Sequence, residues 1–256
     1  MSRRSLLFIV LMLILVAPAL APYDAWRTSS ADALQPPNAA HIMGTDALGR
    51  DVFSRLLAGG QRTLLQALAA VALATLVGVL AGIVGALGAY WMAAPVRAFS
   101  TALLAVPPIV WSLSVLALLG SGPVSLVVAV ALPLAALMAA MSRATFRQIN
   151  SRPYVTGARV IGAGELRVVI NTIIPNSLGT LGRYCAVLFT YAILNAAGLA
   201  YLGFSQPGEP EWGTMLSEAR LTILASPWPA IASGLAITAL VWGAIWVSRE
   251  RTQVNR

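Results

Sequence analysis

Apolar and polar positions in this chain segregate into long blocks. Six apolar runs, at 5–21, 64–91, 96–119, 124–141, 181–204 and 229–247, are separated by stretches that carry the charges, prolines and turn residues. A bilayer core about 30 Å thick is crossed by roughly 20 apolar residues in helical conformation. Each run is therefore read as a membrane-spanning helix, which predicts an all-α, polytopic membrane protein with six transmembrane helices. The first run is short. The second is long enough to tilt or to begin outside the bilayer. The chain divides into an N-terminal helix (1–21), an extracytoplasmic segment (22–62), a transmembrane domain (63–248) with a polar loop at 150–178, and a tail (249–256).

Composition narrows the class further. Hydrophobic residues make up 58%, charged residues 10%, and mean hydropathy is +0.79. Soluble domains are about a quarter charged. The formal charge of +8 comes from 17 basic residues, all arginine. With the N-terminus in the cytoplasm, Arg27, Arg50, Arg55, Arg62 and Arg220 fall outside and the other arginines inside, as the positive-inside rule requires. The charge therefore reports topology, and nucleic-acid binding drops out. Arg3-Arg4, the run 6–16 and Ala19-Leu20-Ala21 also fit a cleavable signal peptide. The membrane domain that follows favours an uncleaved signal-anchor, and Tyr23 onward lies outside either way.

Several chemistries are excluded. One cysteine, Cys185, and one histidine, His41, provide neither a disulfide framework nor a metal cluster. The spans almost completely lack acidic residues and histidine, which argues against proton relays, ion-coupled carriage and intramembrane hydrolysis. No catalytic or metal-binding residues are assigned. There is no GxxxxGK[ST] phosphate loop, so any energy input comes from another subunit. A secondary carrier, or a membrane scaffold that recruits a cytoplasmic partner, are the alternatives from other classes.

Local patterns mark three places. In the extracytoplasmic segment, residues 41–57 carry Gly44, Thr45, Asp46, Gly49, Arg50 and Asp51. The glycines permit backbone angles closed to other residues, and Asp51 is placed to cap a helix starting at Val52. This reads first as a capped entrance to the second span, with Asp46 or Asp51 paired to Arg50 or Arg55, and a contact surface for an outside partner is compatible with it. In the third span, Pro107-Pro108 predicts a kink, and Trp111, Ser112 and Ser114 after it are possible pathway-lining residues; Pro133 does the same within the fourth. Gly78, Gly82, Gly85 and Gly88 give the second span a small-residue face for close helix packing or for a pore lining.

The third place is the stretch 154–176, a polar insert between two apolar runs. The pattern predicts a helix over 155–159, a break at Gly162-Ala163-Gly164, and a second helix over 165–174 ended by Pro175. Together they form an L-shaped pair lying across the membrane surface. Its small residues, Gly157, Ala158, Gly162, Ala163 and Gly164, would let it enter a groove on a partner. An amphipathic hairpin resting on lipid fits the same pattern.

Tyr154-Val155-Thr156-Gly157-Ala158-Arg159, then Gly162-Ala163, Glu165-Leu166-Arg167 and Ile174-Pro175-Asn176, resemble the EAA loop of bacterial ABC-importer permeases. The stretch Gly44-Thr45-Asp46 to Leu56 resembles the signature of the dipeptide/oligopeptide/nickel branch, in its second, C-type subunit. A third match, Tyr201-Leu202-Gly203-Phe204 with Glu211-Trp212-Gly213 and Glu218-Ala219-Arg220, resembles that branch's SFLGLG…WGxML…AR stretch. The resemblance implies a permease subunit paired with a homologous permease in a heterodimer, two cytoplasmic ATPase subunits holding ATP and Mg, and an extracytoplasmic solute-binding protein, all at the lipid of a bacterial inner membrane. No cofactor is implied in this chain itself. The implied cargo is a peptide, or nickel or another metal chelate. The implied ATPase-coupling residues are Tyr154, Thr156, Gly157, Ala158, Arg159, Gly162, Ala163, Glu165 and Arg167. The sequence departs from the pattern at Thr156, where the family has Glu, at Gly157, where it has its first Ala, at Thr101, where relatives carry Asp, and in the absence of the NLLGDxLRD ending, so no interacting tail is expected.

Overall fold

The computed structural model describes residues 12–206 and 208–248. Nine α-helices are used below: α1 (Val52–Leu87), α2 (Tyr90–Ala105), α3 (Pro108–Leu119), α4 (Pro123–Asn150), α5 (Pro153–Val160), α6 (Glu165–Val168), α7 (Ile174–Tyr201), α8 (Trp212–Ala219) and α9 (Trp228–Ser248). Among the described residues there is no strand, and one isolated bridge joins Thr45 and Asp51. Among the described residues four helical runs are long and apolar enough to cross a membrane: Val52–Leu87, Pro123–Asn150, Glu165–Tyr201 and Trp228–Trp246. The bent pair α2 and α3 makes a fifth if taken as one span. The expected first span, 5–21, lies mostly outside the described residues; within them residues 12–16 are helical and Ala17–Leu20 forms a 3-10 turn.

Two expected spans take another form. The third is not one kinked helix over 96–119. It is two helices meeting at 100° between Ala105 and Pro108. The cause is local, since neither Pro107 nor Pro108 carries an N–H and helical hydrogen bonding stops there. Leu103, four residues before Pro107, would lose its acceptor role, and Trp111 Nε1 donates to its carbonyl at 3.0 Å. Ser112 is fully buried, its Oγ lying 2.9 Å from Ala129 O and accepting from Asn195 Nδ2 at 3.3 Å. That hydroxyl joins α3, α4 and α7. Trp111 and Ser112 thus hold the broken span in place, whereas Ser114 is exposed and bonds back to Val110 O.

The second difference follows from Pro175. The sequence predicts a helix ending there, yet the chain runs helically from Glu165 to Tyr201. A π turn at Val169–Ile173 precedes the proline, which sits in the first turn of α7. A wider turn accommodates the missing donor without ending the helix.

The core lies between α1 and α4, where glycine sets the distance. A Cβ added at Gly78 would stand 2.6 Å from Met138 Cβ, and one at Gly82 would stand 2.0 Å from Ser142 Oγ. The helices therefore meet backbone to side chain, with Ser142 Oγ donating to Gly78 O at 3.2 Å. The glycine face of the second run is a packing face at Gly78 and Gly82. Gly88 instead caps the end of α1. Pro133 lies inside α4 without ending it and is buried.

Candidate functional site

The polar insert folds into an elbow between α4 and α7. Pro153 opens α5 at a position where its missing N–H costs nothing, and buried Val155 anchors the helix to the core. The helix ends in a Schellman motif: Ala163 N donates to Ala158 O and Gly162 N to Arg159 O, each at 3.0 Å. Gly162 takes the left-handed conformation that this motif needs, with φ +91°. Arg159 then fixes the corner. Its Nε and Nη2 grip Glu165 at 2.7 and 3.0 Å, and Nη2 also reaches Asn150 Oδ1 at 2.7 Å. One guanidinium thus ties the end of α4, the helix α5 and the start of α6. The hydrogen-bonded Glu165 carboxylate holds the Arg159 pKa above its ordinary value.

Of the residues expected to couple, Tyr154, Thr156, Gly157, Gly162, Glu165 and Arg167 are exposed, while Ala158, Arg159 and Ala163 are half-buried. An added Cβ at Gly157, Gly162 or Gly164 would meet nothing within 4 Å. The surface is not bare of bulk, however. Val160 (81% exposed), Ile161 (86%) and Leu166 (74%) form an apolar ridge around Gly162. Sequence reasoning missed these three. The signal was available: bulky apolar residues flank a helix-ending glycine. The expected two-helix L also changes. Its second leg, α6, continues through the π turn into α7, so the elbow is built directly onto a span.

At the opposite end of α7 and α1 lies a charged junction. Gly44 (φ +72°) and Gly49 (φ +70°) turn the chain, and a Cβ at Gly49 would lie 1.7 Å from Ser29 O. Asp46 Oδ1 accepts from Leu48 N and Arg50 N inside that turn. Asp51 caps α1 as its position predicts: Oδ2 accepts from Ser54 N at 2.8 Å, and Oδ1 pairs with His41 Nδ1 at 2.9 Å. Arg50 Nε donates to Asp46 Oδ2 at 2.7 Å, and Arg55 Nε lies 3.6 Å from the same oxygen. Both arginines then reach Glu218 Oε2 in α8, Arg50 at 2.6 Å and Arg55 at 3.0 Å. Arg55 Nη1 is buried with no hydrogen-bond partner among the described residues.

Gly44, Thr45, Asp46, Gly49, Arg50 and Asp51 are all buried, so these six hold the segment together rather than present a surface. Neighbouring contacts strengthen the junction. Trp212 Nε1 donates to Leu56 O at 2.9 Å, and its indole lies against Gly59 and Gly60. Gln66 Nε2 donates to Glu211 Oε1 at 2.6 Å, and Arg62 pairs with Glu209 at 2.8 Å. Two separate sequence motifs, around Asp46 and around Trp212, therefore form one unit. Among the described residues no group of three or more His, Cys, Asp or Glu is placed to hold a metal ion.

A profile of the binding-protein-dependent transport system inner membrane component family matches residues 74–249. The chain belongs to this family. Its relatives include the di/tripeptide transport system permease protein DppC of Pseudomonas aeruginosa, 34% identical over 91% of this chain and 80% of that protein. The glutathione transport system permease proteins GsiD of Pectobacterium atrosepticum (33%, covering 90% and 78%) and Shigella boydii (32%, covering 93% and 80%) are similarly close. The permease is thus a multi-pass membrane protein of the ABC-importer class, in the branch that the three motifs indicated. The matched region holds the elbow and the second half of the junction, while the first half, at 44–55, precedes it.

Proposed function

We propose that this permease forms half of the translocation pathway of an ATP-driven importer of small peptides, together with a homologous permease subunit. A solute-binding protein delivers the cargo outside, and two ATPase subunits, which carry ATP and Mg, act inside. The observation that carries this reading is the elbow. It presents Val160, Ile161 and Leu166 around an uncrowded Gly162, braced by Arg159 and continuous with the α7 span. A push on such a lever moves a transmembrane helix directly, which is what coupling ATP hydrolysis to alternating access requires. The topology of this reading has six spans, with the N-terminus and elbow in the cytoplasm and residues 22–62 outside. The elbow would be the EAA loop of the ABC permeases. Peptide cargo is favoured over nickel or a metal chelate because the similar permeases are named for di/tripeptides and glutathione.

The test is uptake into proteoliposomes that contain the co-expressed complex, with labelled dipeptide, glutathione and nickel supplied in parallel with the binding protein. ATP-dependent peptide accumulation, lost in Gly162→Asp while the complex remains inserted, supports the proposal. ATP-independent accumulation would point to a carrier, and recovery of the chain without any ATPase subunit would point to a scaffold.

A further inference from the structure

An apolar groove of about 350 Å³ runs between α1, α2 and α4, lined by Val77, Ala81, Val96, Phe99, Ala135 and Ala139, among others. Helical spacing shows where its elbow-side end leads. Gly85 lies one turn beyond Ala81 on α1, and Arg143 lies one turn beyond Ala139 on α4, so each continues the same face. Arg97 follows Val96 on α2. The side chains converge there: a Cβ at Gly85 would lie 3.4 Å from Arg143 Cδ and 3.5 Å from Arg97 Cγ. Both arginines are half-buried, and neither has a carboxylate partner among the described residues; Arg97 rests over the Tyr90 ring at 5.9 Å. Gly85 makes room for both stems at this point.

We propose that this groove is a binding site for one anionic glycerophospholipid. The acyl chain would lie along α1, α2 and α4, and Arg97 and Arg143 would hold the phosphate. Three observations converge on that occupant. The groove is almost wholly apolar and lies between two helices of membrane-spanning length, α1 and α4, and the first arm of the bent pair, where lipid tails are the surrounding medium. Its open end carries two positive charges that no acidic side chain among the described residues neutralises. The charges sit on the elbow side of the bundle, beside Gly85 and so within a turn of the end of α1. Basic pockets between spans at that level suit phosphate headgroups. A zwitterionic lipid fills the groove equally well but gains less at the arginines. The lipid would also bridge α2 and α4, bracing the break in the α2–α3 span.

Native mass spectrometry of the intact complex tests this, with dioleoyl phosphatidylglycerol titrated against dioleoyl phosphatidylcholine. Phosphatidylglycerol should be retained preferentially, and Arg97→Gln with Arg143→Gln should weaken that preference by roughly 30-fold, the effect of about two charge contacts at a membrane surface. Arg97→Lys with Arg143→Lys should keep most of it, since lysine binds phosphate as a point charge, which separates lost charge from lost folding. Arg183→Gln, on α7, should leave it unchanged. The proposal is overturned if both lipids bind the wild type equally. It is also overturned if the double Gln variant keeps the preference, or if both lipids are excluded because another protein segment fills the groove.

Discussion

Replacing Glu218 by Gln keeps the shape of the junction and removes one charge. The carboxylate is the acceptor shared by Arg50 at 2.6 Å and Arg55 at 3.0 Å, whose side chains are 6% and 1% exposed. After the change, two buried guanidinium groups face a single carboxylate, Asp46. Removing one partner of a buried ion pair costs about 3–5 kcal/mol. Glu218 itself is 37% exposed, and water takes over part of its role, so about 2–3 kcal/mol is the reasoned value. For a chain of this size that corresponds to a melting point lowered by roughly 5–10 °C. The comparison variant is Glu209→Gln. In its pair with Arg62 both side chains are partly exposed, so neither charge is left stranded from water, and about 1 kcal/mol or less is expected. Thermal unfolding of both variants in the same detergent or nanodisc checks the difference, and limited proteolysis of residues 22–51 reports whether the segment detaches. A Glu218→Gln shift no larger than that of Glu209→Gln would refute the argument that the buried arginines depend on this carboxylate.

Other outcomes follow from the same geometry. Gly162→Val should cost about 1–3 kcal/mol of backbone strain at φ +91° and abolish ATP-coupled uptake without preventing membrane insertion, measured by uptake and by membrane fractionation. Ile161→Glu should reduce recovery of the ATPase subunits on co-purification while leaving the melting point near wild type, because Ile161 is 86% exposed. Trp111→Phe leaves Leu103 O without its donor in an apolar setting, and about 1–3 kcal/mol should be lost in thermal unfolding. Gly82→Val drives a branched side chain into Ser142 and the α4 backbone, and a loss of more than about 2 kcal/mol with reduced expression is expected.

The chain's own pattern determined its class. Runs of apolar residues long enough for a bilayer, with the arginine bias between them, required a helical membrane protein, because buried backbone must satisfy its hydrogen bonds within each span. Local chemistry was equally legible where it depends on near neighbours. Asp51 capping α1, Gly44 and Gly49 in the turn, and Gly162 ending α5 are all decided within a few residues. Tertiary structure decided the rest. Proline marked Pro107-Pro108 and Pro175 alike, yet one became a 100° break and the other passed through a π turn. The paired prolines stop helical hydrogen bonding locally while the lone Pro175 falls in a first turn, and the broken arms are then held by distant partners, such as Ser112 against Ala129 and Asn195, that periodicity does not encode. Arg50 and Arg55 each lie more than 160 residues from Glu218 in the chain, so their junction exists only once α1 and α8 are packed side by side. The groove between α1, α2 and α4 is likewise a property of three helices, since no single face carries both its apolar wall and its two arginines.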